Sequence, residues 1–165
     1  MKNANGEGGC TWPALTRVTM GLIFLWAFFD KVFGLGFTTA ADKSWLDGVS
    51  PTLGFLKFGT TGPLSGMYQA MAGNILVDWL FMLALLLIGL ALILGIAMKI
   101  AGYSGALFML MMWSAVLPPE HHPFLDEHIV YMFLLLWFAS LDATKQFGLG
   151  KWWSGTVAKK AKWLA

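Results

Sequence analysis

A single cysteine, Cys10, stands in this chain of 165 residues. That excludes an intramolecular disulfide, a Cys-x-x-Cys redox pair and a cysteine metal cluster. Any redox chemistry would have to run without a thiol shuttle inside the chain. Charge is also scarce. Asp, Glu, Lys and Arg make up 12% of the residues, where soluble domains carry about 25%. The net charge of +2 is too small to act as a nucleic-acid footprint, so nucleic acid is not an expected partner. Histidine is confined to His121, His122 and His128, all at one edge of the apolar runs, which leaves no ligand pair on facing helices for a haem. No Gly-x-Gly-x-x-Gly at a strand–helix junction, P-loop, hydrolase elbow, HExxH or haem-attachment motif is present. No haem, flavin or metal motif is therefore found.

Apolar residues are abundant instead. They make up 58% of the chain, with 9 Trp and 19 Gly. Glycine is better tolerated in membrane helices and Trp concentrates at the interface, so the composition points to the bilayer. The apolar runs predict an all-α, polytopic membrane four-helix bundle. Residues 1–12 form a flexible segment, 13–145 the four-helix transmembrane domain, and 146–165 a basic, Trp-rich interfacial tail. Helix one is expected from Ala14 to Phe37, with Pro13 leading it. Helix two follows Asp78, which is expected to cap it, and Trp79 to Met98 is an uncharged run of 20. Such a run spans about 30 Å of hydrocarbon at about 1.5 Å per residue. Ile100 to Pro119 is a second such run, so the single Lys99 predicts a tight hairpin turn. Helix four is expected from Asp126 to Thr144. The long connection over residues 38–74 predicts short interfacial helices rather than a bare loop.

Positive charge orients such a chain. Lys2, Arg17, Lys99, Lys145, Lys151, Lys159, Lys160 and Lys162, eight of the eleven basic residues, fall on one side of the spans. That side is read as cytoplasmic and includes both termini. The long connection and the turn before helix four then face the exterior or periplasm of a prokaryotic cytoplasmic membrane. Arg17 reads as a positive-inside anchor, with pairing to Asp142 as the alternative.

Most of the polar chemistry gathers on the external side. Asp30 and Lys31 close helix one. They read either as a pocket wall, with Lys31 drawing an anion or a quinone oxygen, or as an interfacial pair reaching water. His121, His122, His128, Glu120, Asp126 and Glu127 crowd the turn between helices three and four. Metal binding is weighed there against proton relay by Asp126 and His128. Adjacent histidines and the lack of a cysteine partner favour the relay, so no metal site is assigned. Asp126 also suits the first turn of helix four by charge. Trp26 and Trp113 are candidates for an aromatic quinone site, against an ordinary packing role. The catalytic candidates are Asp30, Lys31, Asp126 and His128. The quinone or substrate-binding candidates are Trp26, Trp45, Lys43 and Trp113.

Three stretches carry a family resemblance. They are Arg17 with Met20-Gly21-Leu22 and Phe29-Asp30-Lys31-Val32-Phe33-Gly34; Trp45-Leu46-Asp47-Gly48 with Ser50-Pro51-Thr52; and His122-Pro123-Phe124-Leu125-Asp126-Glu127-His128 with Gly148-Leu149-Gly150 and Trp152-Trp153. In their order the chain resembles the DoxX/DoxD-like family of membrane proteins. The family's turn often has Asn where this chain has His122, so no catalytic role is carried to that position. The resemblance implies a four-helix bundle. Through the DoxD branch it implies a subunit of thiosulfate:quinone oxidoreductase, which couples two thiosulfates to tetrathionate and passes electrons to quinone. Lys31, Lys43 and Lys57 would attract the dianion. The family type uses a second subunit, so partner membrane or periplasmic subunits, or a homo-oligomer, are implied. The alternative is a non-catalytic membrane scaffold or accessory subunit of a larger respiratory or oxidase complex.

Overall fold

The computed structural model describes residues 11–140, 148–150, 152–153 and 155–156. The chain is all-helical, with no strand among the described residues. Residues 1–10 of the expected flexible segment, the end of helix four, Asp142 and most of the basic tail lie outside them, while Thr11 and Trp12, expected to be flexible, already belong to the first helix. Five α-helices follow in order: α1 (Thr11–Phe33), α2 (Ser65–Ala70), α3 (Ile75–Leu94), α4 (Met98–Ala115) and α5 (Glu127–Ser140). Two of these, α1 and α3, are long and apolar enough to cross a membrane; α5 is apolar but shorter.

Local chemistry explains where the helix ends depart from the sequence reading. α1 stops at Phe33 rather than Phe37 because Gly34 takes φ +62° and Gly36 φ +86°, conformations that suit glycine. α3 begins a turn earlier than expected. Asn74, not Asp78, is its N-cap, accepting a hydrogen bond from the Leu76 N–H at 2.9 Å. The hairpin turn lies at Gly95–Ala97 rather than at Lys99, which sits in the first turn of α4. Gly95 ends α3 at φ +70°, and the N–H groups of Gly95 and Ile96 both return to the Ala91 carbonyl. α4 ends at Ala115, short of the expected Pro119.

The end of α3 is fully accounted for. Helix C-termini leave four carbonyls without intrahelical partners. Here Ala91 is served by the turn, Leu94 accepts from the Leu149 N–H at 2.8 Å, and Leu92 and Ile93 accept from Arg17. Arg17 reaches across from α1 and is 2% exposed. It is therefore a buried helix cap, not the surface anchor read from charge.

One core joins the four long helices. Met20 and Phe24 of α1 meet Leu85 and Ile88 of α3, Met109 of α4, and Leu135 and Phe138 of α5. Small residues set the closest crossings. A Cβ on Gly21 would lie 2.9 Å from the Gly89 carbonyl oxygen, so α1 and α3 approach backbone to backbone. A Cβ on Gly102 would lie 2.6 Å from Ala139 Cβ and from the Leu135 carbonyl oxygen, which holds α4 to α5 in the same way. α1 lies along α3, and α5 along α4. α1 and α5 do not pack along each other.

The connection between α1 and α3 folds over one end of this core. It contains a 3₁₀ turn (Ala41–Lys43), a π-helical turn (Phe55–Gly59) and α2. Trp45 N–H bonds the Lys31 carbonyl at 2.9 Å, and Thr61 N–H bonds the Ala115 carbonyl at 2.9 Å. The Tyr68 hydroxyl lies 2.6 Å from Ser114 Oγ. The connection is thus tied to both α1 and α4.

Candidate functional site

Beneath the connection lies a cavity of about 1070 Å³. Its apolar part is built on three rings from three helices. Phe24 of α1 and Phe108 of α4 have centroids 6.3 Å apart, and Phe81 of α3 lies 5.2 Å from Phe108. Met109 and Met112 extend this surface, and the connection contributes Thr38, Ser50 and Thr52. Most of the lining is therefore apolar, with hydroxyls and a few charges at one end.

Lys31, Lys43 and His128, all candidates from sequence, line this cavity. Lys31 lies on the last turn of α1. Its Nζ donates to Thr38 Oγ1 at 3.4 Å and sits 6.0 Å from the Phe81 ring centre. Among the described residues the one ion pair is His128–Asp126, so Lys31 has no carboxylate within salt-bridge distance. Asp42 and Glu127 also reach the cavity lining, which leaves both signs of charge around it.

Asp30 is 1% exposed and does not line the cavity. Its carboxylate accepts from the Phe37 N–H at 3.2 Å, the Thr38 N–H at 2.9 Å and the Thr38 hydroxyl at 2.6 Å. It thereby fixes the segment that presents Thr38 to Lys31. Asp78 does the same for another part of the connection. It is 5% exposed and its Oδ1 accepts from the hydroxyls of Ser50 at 2.8 Å and Thr52 at 2.5 Å. Two buried carboxylates, one on α1 and one on α3, thus hold the hydroxyl-bearing wall.

At the start of α5, Asp126 Oδ1 accepts from the His128 N–H at 3.1 Å, as an N-cap does. Its Oδ2 lies 2.7 Å from His128 Nδ1. A carboxylate on Nδ1 selects the tautomer with its proton there, which leaves Nε2 as the nitrogen that exchanges protons. Ligand atoms of Asp126, Glu127 and His128 fall within 4.8 Å of one another. Those of Asp126 are already engaged in the cap and the His128 contact. His122 Nδ1 accepts from the N–H groups of Phe124 and Leu125 at 3.1 and 3.0 Å, which shapes the turn.

The three candidate tryptophans lie outside the cavity lining. Trp26 is half exposed, edge-on to Phe37 at 5.0 Å, and Trp45 packs edge-on to Trp79 at 4.8 Å. Trp113 Nε1 donates to the Phe124 carbonyl at 2.8 Å, tying α4 to the turn before α5. Sequence reasoning passed over Phe81, Phe108 and Tyr131, which do line it. Each sits within a uniformly apolar run, where no period marks the inner face. No protein-family model, curated protein or solved structure matches the chain.

Proposed function

We propose that the chain is a DoxX/DoxD-like integral membrane protein in which α1, α3, α4 and α5 each cross the bilayer, and that its cavity binds a quinone. In support of the spans, large apolar side chains face outward on all four helices. They include Leu22 and Phe29 on α1, Leu80 and Leu87 on α3, Leu107 on α4 and Phe133 on α5. Soluble monomers rarely expose apolar patches beyond a few hundred Å², whereas lipid accepts them. The charge asymmetry of the sequence supports an orientation with both termini in the cytoplasm and the cavity at the external face. Labelling of single cysteines in a Cys10→Ser background tests this. Lys57→Cys should react with an impermeant maleimide in intact cells, and Lys99→Cys only after permeabilisation. The reverse pattern would overturn the orientation.

The observation that carries the quinone reading is an ammonium that has, among the described residues, no carboxylate within salt-bridge distance and stands at one end of a large apolar cavity. Ionisable groups in such settings are held for function more often than for packing. The quinone ring would lie on Phe81 and Phe108, with one oxygen at Lys31. Lys43 would draw a sulfur dianion such as thiosulfate to the external mouth. Coupling two thiosulfates forms one S–S bond and releases two electrons. A quinone that accepts them takes up two protons and leaves as quinol. His128, oriented by Asp126, would hand on those protons.

Thiosulfate-dependent quinone reduction by the protein in nanodiscs tests the reading. Lys31→Ala should lower turnover at least tenfold, which corresponds to about 1.4 kcal/mol of lost stabilisation. Unchanged turnover in a folded Lys31→Ala protein would sink it. The second reading, a non-catalytic accessory subunit, is favoured by the lack of any thiol in the spans to carry a sulfur intermediate. It predicts turnover only in a complex with partners, and turnover indifferent to Lys31.

A further inference from the structure

The cavity has an opening that its polar end does not explain. Among the described residues, α1 packs along α3, α3 meets α4, and α4 packs along α5, but α1 and α5 do not pack along each other. The α1–α5 side is therefore the most loosely closed side of the helix ring, and the cavity lies there. Ile23, Ala27 and Lys31, on one stripe of α1, line one side of it, and His128 and Tyr131 of α5 line the other. Ile23 is 43% exposed and lines the cavity, which places accessible apolar surface of α1 at this side. A volume of about 1070 Å³ is at the upper end of small-ligand pockets, which run roughly 300–1,000 Å³. A small dianion or a bare ring would leave most of it empty. An extended chain would fill the apolar remainder.

We infer that the ligand is a single-tailed amphiphile with an electron-rich oxygen at its head, and that it enters sideways from the lipid between α1 and α5. The head meets Lys31, whose ammonium keeps donors beyond its bond to Thr38, and the tail leaves past Ile23, Ala27 and Tyr131. This rests on the reading of α1 and α5 as membrane spans, but not on the redox chemistry. Lys31 selects the head, since among the described residues no carboxylate lies within salt-bridge distance of it, although Asp30 acts on it through space. The apolar stripe selects the tail. Two sources share this chemistry, a tailed quinone and a fatty-acid carboxylate.

Photolabelling of the full chain in nanodiscs separates them. The two probes are a benzoquinone and a carboxylic acid, each on a ten-carbon tail that ends in a diazirine. Mass spectrometry should find adducts concentrated at Ile23, Ala27 and Tyr131, reduced at least tenfold by Lys31→Met. Ala27→Trp, which narrows the opening and leaves Lys31 in place, should reduce the adducts as well. Labelling by the acid alone supports the side entrance and overturns the quinone assignment. Adducts spread evenly over the outward faces of α3 and α4, unchanged in Lys31→Met, would overturn the side entrance. So would equal binding of a tail-less benzoquinone, even with quinone turnover intact.

Discussion

Arg17→Ala should leave little folded protein in the membrane, and Arg17→Met should recover part of it. The guanidinium is buried and donates to the carbonyls of Leu92 and Ile93 at the end of α3. Without it those carbonyls have no donor among the described residues, and each unsatisfied buried group costs about 1–3 kcal/mol. A cation at a helix C-terminus adds up to about 2 kcal/mol in a partly buried geometry. Relief of the arginine's own desolvation opposes these terms. Met keeps the packing volume, so Arg17→Met shows the polar loss alone, about 2–4 kcal/mol. Arg17→Ala adds a void. Arg17→Lys should fall between wild type and Met, because an ammonium is a single compact charge and lacks the planar fork of the guanidinium. Thermal melts in one detergent would rank the four proteins. A melting temperature for Arg17→Met equal to wild type would reduce Arg17 to a charge that biases orientation.

That arginine also shows where sequence reading reaches its end. The uncharged runs around residues 79–98 and 100–119 were legible because length and hydropathy suffice to mark an apolar helix. Their ends were less so, since Asn74 and Gly95 cap α3 by local conformation rather than by charge. Arg17 looked like an anchor because it lies early in helix one. The two carbonyls it caps are some seventy-five residues away and meet it only when α1 lies along α3. Lys31, Lys43 and His128 were legible as polar groups in the segments that flank the apolar runs. Phe81 and Phe108 were not, because in a helix that is apolar all round the inward face is chosen by packing alone. Asp30 was read as half of a charge pair. The structure keeps Asp30 within electrostatic reach of Lys31 but gives the hydrogen bonds of its carboxylate to two backbone N–H groups and a hydroxyl eight residues on.

Asp30 therefore allows a prediction that the charge-pair reading does not make. Asp30→Asn keeps the shape of the side chain and one acceptor oxygen. It turns the other oxygen into an NH₂ donor. Thr38 needs Oδ2 for both its N–H and its hydroxyl, and Phe37 needs Oδ1 for its N–H. Either amide orientation sets donors against donors. Asp30→Asn should thus loosen the segment nearly as much as Asp30→Ala, by about 2 kcal/mol after water replaces part of the loss. Amide hydrogen exchange at Phe37 and Thr38 should accelerate roughly thirtyfold, at about 1.4 kcal/mol per tenfold. Amides in the middle of α3 should keep their protection, because the hydrogen bonds of Asp30 go to the segment after α1. Lys31 would lose the fixed Thr38 that now holds its Nζ, so head-group binding should weaken in Asp30→Asn although the net positive charge beside the cavity rises. That opposition separates the two roles. If Asp30 acted only as a counter-charge, removing it would strengthen the attraction of Lys31 for an electron-rich oxygen. Tighter binding of the ten-carbon-tailed benzoquinone to Asp30→Asn, with Phe37 and Thr38 exchange unchanged, would show that the carboxylate serves charge and not position.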